Sequence, residues 1–172
     1  MSLSDRGFTF DFIEKEIRKK TFGVLSVVDA KGRPHSTGIL YGVSPPKSKF
    51  ALYILTEDGY AKVRHIRRNP NVSLVVTFPH HIIRFAPASY VMFRGMAELV
   101  PFDDSDGQWA FSQKYILKMS QKVDPEILKK ALFIKMNPEP TVFCYGVGIG
   151  VMELRSQHIS SDYKVTIPAH RL

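Results

Sequence analysis

Residues 22–43 read FGVLSVVDAKGRPHSTGILYGV, a stretch composed largely of strand-forming and turn-forming residues. An apolar, β-branched run at 22–28 leads through the turn Asp29-Ala30-Lys31-Gly32 into a second run at 33–43. Such runs on both sides of a short turn are typical of two paired strands, and the turn requires a positive φ that glycine adopts at little cost. The stretch therefore predicts an antiparallel β-hairpin with Gly32 in its turn.

The rest of the chain shows more strand patterns with a few helical ones between them. The patterns predict strands at 49–56, 71–78, 89–101 (with a bulge or bend at Gly95) and 141–154, and helices at 9–20, 60–69, 103–119 and 124–132. Residues 163–167 also fit a short strand. Strands and helices do not alternate regularly, which disfavours a parallel doubly wound sheet. We expect a mainly β fold, a closed or partly open antiparallel barrel with flanking helices.

Length and composition set limits on the class of protein. At 172 residues with 44% hydrophobic residues, the chain fits a single domain, 1–172, that ends in a polar tail at 155–172. No apolar run approaches the roughly 18 residues of a membrane span, and Asp5 and Arg6 precede any apolar run, so a cytoplasmic location is expected. The single cysteine, Cys144, excludes an internal disulfide and is predicted to be an inert core thiol.

The net charge is +8, from 24 basic and 16 acidic residues, and it is concentrated in one part of the chain. Between Asp58 and Glu98 there is no acidic residue, but six lysines and arginines. A local cationic surplus of this kind fits a nucleic acid, an anionic surface or a phosphorylated small molecule. An anionic group is therefore expected to bind near this window.

The most informative pattern in the window is a strand, a turn and a helix. The strand ends in Thr56, and the helix begins at Tyr60-Ala61-Lys62 and stops before Asn69-Pro70. This order places a hydroxyl, an ammonium and the free N–H groups of a helix N-terminus around one point, which suits a phosphate. The alternative is that Thr56 only caps the turn and Lys62 is a solvated helix residue; the spacing alone does not separate the two.

Other motifs are better explained by packing or solvation. The run Gly146–Gly150 lacks the spacing of a dinucleotide-binding loop and predicts a bent strand. His80-His81 is interpreted as solvated loop histidines, although a haem ligand among the six histidines stays open. Trp109, Phe111 and Tyr115 fit core contacts better than walls of a substrate pocket. The sequence indicates neither a catalytic nucleophile nor a metal site.

Three stretches of the chain form a specific set in order and spacing. They are Val24–Asp29 with Gly32-Arg33-Pro34-His35-Ser36, then Leu52–Lys62 with Ile66 and Asn69–Leu74, and finally Arg94-Gly95-Met96-Ala97-Glu98-Leu99. Together they resemble the pyridoxamine 5'-phosphate oxidase-like family, the flavin-binding split β-barrels. The resemblance covers residues from about 8 to 101, and residues 102–172 match more loosely.

The resemblance implies a homodimeric, Greek-key-like split barrel that holds FMN, or in sister groups the deazaflavin F420 or haem, in a cleft between subunits. Thr56 and Lys62 match positions that hold the flavin phosphate, and Leu55 matches a strand position beside the cofactor. The residues expected at the cofactor on this basis are His35, Ser36, Leu55, Thr56, Tyr60, Ala61, Lys62 and Arg67.

The chain also departs from the true vitamin B6 oxidases of the family. Tyr60-Ala61-Lys62 stands where they have Ser-Arg-Lys, Tyr90 stands where they have Gln, and their C-terminal substrate-phosphate motif is not found. Vitamin B6 oxidation is therefore not expected. A nearby arginine such as Arg67 could replace the missing one, and Tyr60 could stack on a ring.

The expected function is that of an FMN- or F420-dependent oxidoreductase that transfers hydride between the cofactor and a small organic substrate or acceptor. In such enzymes the cofactor supplies the redox chemistry and the protein positions it. One alternative is a flavin or haem binding and storage module without turnover. A less favoured one is a nucleic-acid-associated protein that uses the basic residues from Lys62 to Arg94; no membrane partner is expected.

Overall fold

The computed structural model describes residues 8–79, 88–121, 124–150 and 162–172. The helices are α1 (Phe10–Arg18), α2 (Ala61–Arg68), α3 (Ser105–Ser112), α4 (Tyr115–Ser120) and α5 (Pro125–Leu128). The strands are β1 (Phe22–Val28), β2 (Pro34–Leu40), β3 (Gly42–Val43), β4 (Leu52–Glu57), β5 (Asn71–Phe78), β6 (Ser89–Pro101), β7 (Ala131–Pro138), β8 (Thr141–Tyr145) and β9 (Asp162–Thr166). The predicted mainly β class with flanking helices is confirmed.

The strands form one antiparallel sheet that curls into a half-barrel, consistent with the split-barrel fold. The order is β2-β1-β5-β6-β7-β4-β3, and β8 pairs with β6 and β9. The N-terminal hairpin is confirmed: β1 pairs with β2 from Phe22–Leu40 to Val28–Pro34, and Gly32 in the turn has φ 76°. Asp29 Oδ1 accepts from the N–H groups of Lys31 and Arg33, which closes the turn.

Strand β6 is the place where the sheet divides. One of its edges pairs with β5, while the other pairs with β8 near its start and with β7 near its end. Strands β7 and β8 follow each other in the chain, so β6 changes its partner at Glu139-Pro140. The segment that joins β7 to β8 there has more residues than the part of β6 that faces it. From there β7 continues to β4, and β8 turns to β9.

Gly95 lies opposite this irregularity. The bulge or bend expected at Gly95 is therefore not in β6, which keeps its register with β5. The irregularity lies in the β7–β8 segment that faces Gly95. A Cβ on Gly95 would lie 2.1 Å from the carbonyl oxygen of Asn137. Glycine is required here because the neighbouring backbone approaches too closely for a side chain.

The hydrophobic core lies on the inner face of the sheet. Leu25, Leu74 and Phe93 are paired in register across β1, β5 and β6, and all three are buried. Helix α1 covers this face with Ile13 and Ile17, which are also fully buried. Each such side chain contributes about 1.5 to 3 kcal/mol on burial, so this layer holds α1 against the barrel.

Two predicted elements are wrong in their extent. The helix expected to include Ala131 and Leu132 ends at Leu128, and these residues begin β7, which pairs on both edges and buries Phe133 and Ile134. The strand expected at 141–154 ends at Tyr145, and its last residues, 151–154, lie outside the described residues. Gly146 and Gly148 follow with φ of 66° and 79°, which turns the chain instead of extending a bent strand.

The C-terminal residues 162–172 are part of the fold. Strand β9 pairs with β8, as the short strand expected at 163–167 implied. Arg171 donates to both carboxylate oxygens of Glu14 at 3.2 and 3.1 Å, and Arg18 donates to Glu14 Oε1 at 2.6 Å. A buried carboxylate is stable when it is paired and hydrogen-bonded in this way, so Glu14 fastens the chain terminus to α1.

The burial of Cys144 agrees with its predicted place in the core. Cys144 is 2% exposed, and burial raises the pKa of its thiol to about 12, so it is not a nucleophile at neutral pH. Within the described ranges, no helix is both long and apolar enough to cross a membrane.

Candidate functional site

The site is built on β4, a short turn and α2. Gly59 in the turn has φ 101°, which lets the chain reverse direction directly after β4. Arg67 Nη1 donates to Asp58 Oδ1 at 2.7 Å, and Arg64 Nη1 donates to the carbonyl oxygen of Gly59. Two arginines of α2 therefore fasten the helix to the turn and fix the direction of its N-terminus.

A cavity of about 320 Å³ opens beside this unit, within the size range of small-molecule sites. One wall comes from the strand, the turn and the first helical turn, and its residues are Leu55, Thr56, Glu57, Tyr60 and Lys62. Four of these five are among the residues that the resemblance places at the cofactor. Tertiary structure therefore brings Leu55, Thr56, Tyr60 and Lys62 to one cavity.

Thr56 presents a polar atom without a partner. The residue is 5% exposed, and its Oγ1 has no hydrogen bond to any described residue. A buried hydroxyl that lacks a partner costs about 1 to 3 kcal/mol, so such groups are rare unless a ligand or water satisfies them. The alternative that Thr56 caps the turn is wrong, since its hydroxyl makes no bond there.

Lys62 lines the same cavity as Thr56 and is half-buried. Burial lowers the pKa of its ammonium, and the Glu57 carboxylate raises it by a smaller amount. Its Nζ lies 4.7 Å from the centre of the Tyr60 ring, and it has no salt bridge within the described parts of the chain. Lys62 is therefore only partly solvated, and whether its ammonium faces a phosphate or solvent stays a prediction.

The first turn of α2 adds two free donors to this corner. Its N-cap, Tyr60, makes no side-chain capping bond, and the turn contains no acidic residue. The N–H groups of Ala61 and Lys62 consequently lack an intrahelical acceptor, and the helix dipole makes this end positive. A hydroxyl and an ammonium thus line one cavity beside the N-terminus of a helix, and these are groups that can bind a phosphate.

The remaining expected residues do not line the cavity. His35 is exposed on β2, with its ring centre 5.6 Å from that of His65, and the hydroxyl of Ser36 bonds to Ser26 at 2.8 Å. Arg67 is engaged with Asp58, and Ala61 offers only its backbone. Roles in cofactor binding for His35, Ser36 and Arg67 stay predictions that this arrangement does not favour.

The residues that form the opposite wall of the cavity were not predicted from the sequence. This wall consists of residues from β2 and from the segment between α3 and β7, namely Gly38, Ile39, Leu40, Phe111, Ser120, Ile127 and Ala131. Most of these side chains are apolar, so the polar groups of the cavity are those of Thr56, Glu57 and Lys62 on the first wall and the Ser120 hydroxyl on this one. In the sequence, the feature that pointed to this wall was the aromatic set Trp109, Phe111 and Tyr115 on the later helix.

That aromatic set separates into three environments. Phe111 is fully buried in the core and also lines the cavity, and Trp109 is partly buried against the same cluster. Tyr115 is 79% exposed, so its assignment to the core is wrong.

The run Gly146–Gly150 lies away from the cavity, and His80-His81 lies outside the described residues.

Comparisons with known proteins agree on the fold. The family model described as pyridoxamine 5'-phosphate oxidase matches residues 10–143. Comparison with curated proteins gave no match. Among solved structures, the haem storage protein HutZ from Vibrio cholerae is similar with a TM-score of 0.59 and 20% identity, over 81% of this chain and 96% of that one.

Two further solved structures are similar at comparable levels. General stress protein 26 from Bacillus anthracis has a TM-score of 0.54 and 22% identity, over 78% of this chain and 91% of that one. A haem binding protein from Mycobacterium smegmatis has a TM-score of 0.60 and 15% identity, over 86% of this chain and 53% of that one. At these identities the likeness shows a shared fold, and the family match over most of the chain shows that the protein belongs to the pyridoxamine 5'-phosphate oxidase family.

Proposed function

We propose that the protein is a cofactor-dependent oxidoreductase that binds FMN or F420 in the cavity beside α2. The observation that carries the proposal is the unpaired, buried Thr56 Oγ1 next to the half-buried Lys62 ammonium. Both are donors, and a phosphate oxygen is an acceptor that can satisfy both. The positive N-terminus of α2 supports the same ligand class.

The chain's own residues have distinct roles in this proposal. Thr56 and Lys62 hold the phosphate, with the free N–H groups of α2 beside them. Tyr60, 51% exposed at the mouth of the cavity, offers a face on which a ring can stack. Leu55 and Phe111 exclude water from the apolar part. When bound, the flavin or deazaflavin supplies hydride transfer, and the small organic substrate or acceptor approaches from the open side.

Haem binding is the second candidate, because two of the structural neighbours are named as haem proteins. Iron in haem takes an axial ligand such as histidine, cysteine or methionine. The described lining of the cavity contains none of these, and the hydroxyl of Tyr60 points to Glu57 at 3.4 Å. This favours a flavin-type cofactor over haem, with or without turnover.

We also propose a homodimer, in which the partner covers the outer face of the sheet. A register row of half-buried apolar side chains crosses that face through Val24, Val75, Met92 and Phe143. The row starts at Gly38, which lines the cavity. A partner on this face would therefore lie next to the cofactor. Oligomeric state from sedimentation equilibrium tests this part.

Titration of the purified protein tests the function. We expect saturable uptake of FMN or F420, followed by the absorption and fluorescence of the cofactor, and much weaker uptake of riboflavin, which lacks the phosphate. Equal affinity for FMN and riboflavin would contradict a phosphate site at Thr56 and Lys62. Uptake of haemin, with a Soret band and no response to FMN or F420, would favour the second candidate.

A further inference from the structure

A second cavity, of about 370 Å³, lies between the C-terminal end of α1, strand β3 and the α3–α4 segment. It shares α3 with the first cavity, but the two have no lining residue in common. Its cationic residues are Arg18, Lys20 and Lys114, and among the residues that the structure describes no acidic side chain lines it. The family match and the proposed cofactor site leave this cavity unexplained.

The three cations are not equally available. Arg18 is held by the Glu14 carboxylate and also donates to the carbonyl oxygen of Ser44 at 2.6 Å. The Nζ of Lys20 lies 5.4 Å from the centre of the Phe78 ring and has no ion pair with the described residues. Lys114 has no side-chain hydrogen bond or ion pair with the residues that the structure describes. Two half-buried lysines, Lys20 and Lys114, therefore line the cavity without a carboxylate partner among the described residues.

The other walls of the cavity are apolar. Trp109, Tyr41, Val43 and Leu117 line it, and the Tyr41 hydroxyl is already used, since it donates to the carbonyl oxygen of Ile17 at 2.6 Å. Tyr41 therefore presents its ring. A concave site with mainly apolar walls and a few convergent charged groups is the usual form of a small-molecule site.

We propose that this cavity binds a small amphipathic organic anion, with its carboxylate at Lys20 and Lys114 and its apolar body against Trp109 and Leu117. A neutral ligand of the same shape would leave both ammonium groups without a partner, and a cation would be repelled by them. The inference is independent of the cofactor, because none of these residues touches the first cavity.

The chain contains one tryptophan, Trp109, which lines this cavity, so its emission reports on binding here when no flavin is present. The probe is octanoate, with 1-octanol as its neutral counterpart. We expect octanoate to shift Trp109 emission saturably, and 1-octanol to require at least about tenfold higher concentration, on the scale of a charge-assisted bond. No saturable response to octanoate, or equal responses to both probes, would overturn the proposal.

Variants locate the binding. The double variant Lys20→Gln/Lys114→Gln is expected to weaken octanoate binding about tenfold or more, whereas Lys31→Gln, in the exposed hairpin turn, leaves it unchanged. Lys62→Gln should weaken FMN or F420 binding without altering the octanoate response. A loss of octanoate binding in Lys62→Gln, or displacement of octanoate by FMN, would place the anion in the first cavity and refute the assignment. Unfolding midpoints of all variants show that the fold is retained.

Discussion

The two cavities lie against the same helix and have similar volumes, but their polar groups are satisfied differently. The first contains a buried hydroxyl, Thr56 Oγ1, with no partner in the described structure, and one lysine and one glutamate, Lys62 and Glu57, on the same wall. The second contains two lysines on its wall, and the one buried hydroxyl there, that of Tyr41, is hydrogen-bonded.

This difference indicates different kinds of ligand recognition. A buried, unpaired hydroxyl has a fixed direction and needs an acceptor at one place, which favours a ligand of defined geometry. Lysine side chains are long and can adjust, so they recognise charge more than shape. We infer that the first cavity is the more selective of the two, and the following predictions test that comparison.

The largest effect is expected from adding a methyl group at the second cavity. A Cβ on Gly42 would lie 2.9 Å from backbone atoms of Ala110 on α3, so Gly42→Ala should lower the free energy of unfolding by about 2 to 3 kcal/mol. The control is Gly38→Ala at the first cavity, where the Cβ meets only the exposed Phe22 ring, and less than about 1 kcal/mol is expected. Urea denaturation measures both; equal losses would show that α3 is not rigidly held at Gly42.

The second largest effect is expected from removing the ammonium group of Lys62 in the first cavity. Lys62→Gln should weaken binding of FMN or F420 by about 2 kcal/mol, the scale of a hydrogen bond to a charged group. Calorimetric titration measures the loss, and Lys15→Gln on the exposed face of α1 serves as the control. An affinity unchanged by Lys62→Gln would move the phosphate away from α2.

Thr56→Val should act in opposite directions on stability and on binding. The free protein should be as stable as the parent or more stable, because the variant removes an unpaired buried hydroxyl. Cofactor binding should weaken by about 1 kcal/mol, since one donor to the phosphate is lost. Thermal unfolding with and without cofactor tests both. A destabilised free protein would mean that Thr56 already has a partner.

The pH dependence should be the smallest effect. Burial places the pKa of Lys62 below the ordinary 10.5 in the free protein, and a bound phosphate would raise it. The extra affinity for FMN over riboflavin should then be complete below the free-protein pKa and decline as pH rises through the pKa of the complex. An FMN-to-riboflavin affinity ratio that stays constant from neutral pH to above pH 10.5 would contradict a charged Lys62 at the phosphate.

Local patterns were sufficient for the hairpin and for the polar corner of the candidate site. The β1–β2 turn depends on Gly32, and the β4–α2 unit depends on residues within about ten positions of one another, so near neighbours in the chain determine both. For the same reason Thr56 and Lys62 could be singled out together, since a strand end and the helix that follows it are necessarily close.

Non-local contacts decided the rest. The apolar residues of 124–138 fit either a helix or a strand by their spacing, and β7 is a strand because β4 and β6 pair with both of its edges. Arg67 carried the right charge for a phosphate, but its position on α2 directs it to Asp58. His35 lies on the expected strand, yet residues 38–40 of that strand reach the cavity instead.

The sequence by itself determined the fold class, the family and the strand-turn-helix corner, because periodicity, turn residues and short motifs act over a few positions. Tertiary structure alone decided that Thr56 is buried without a partner, that residues of α3–α5 close the cavity and that a second, cationic cavity lies beyond α3. These properties depend on burial and on contacts between distant segments, and no local pattern encodes either of them.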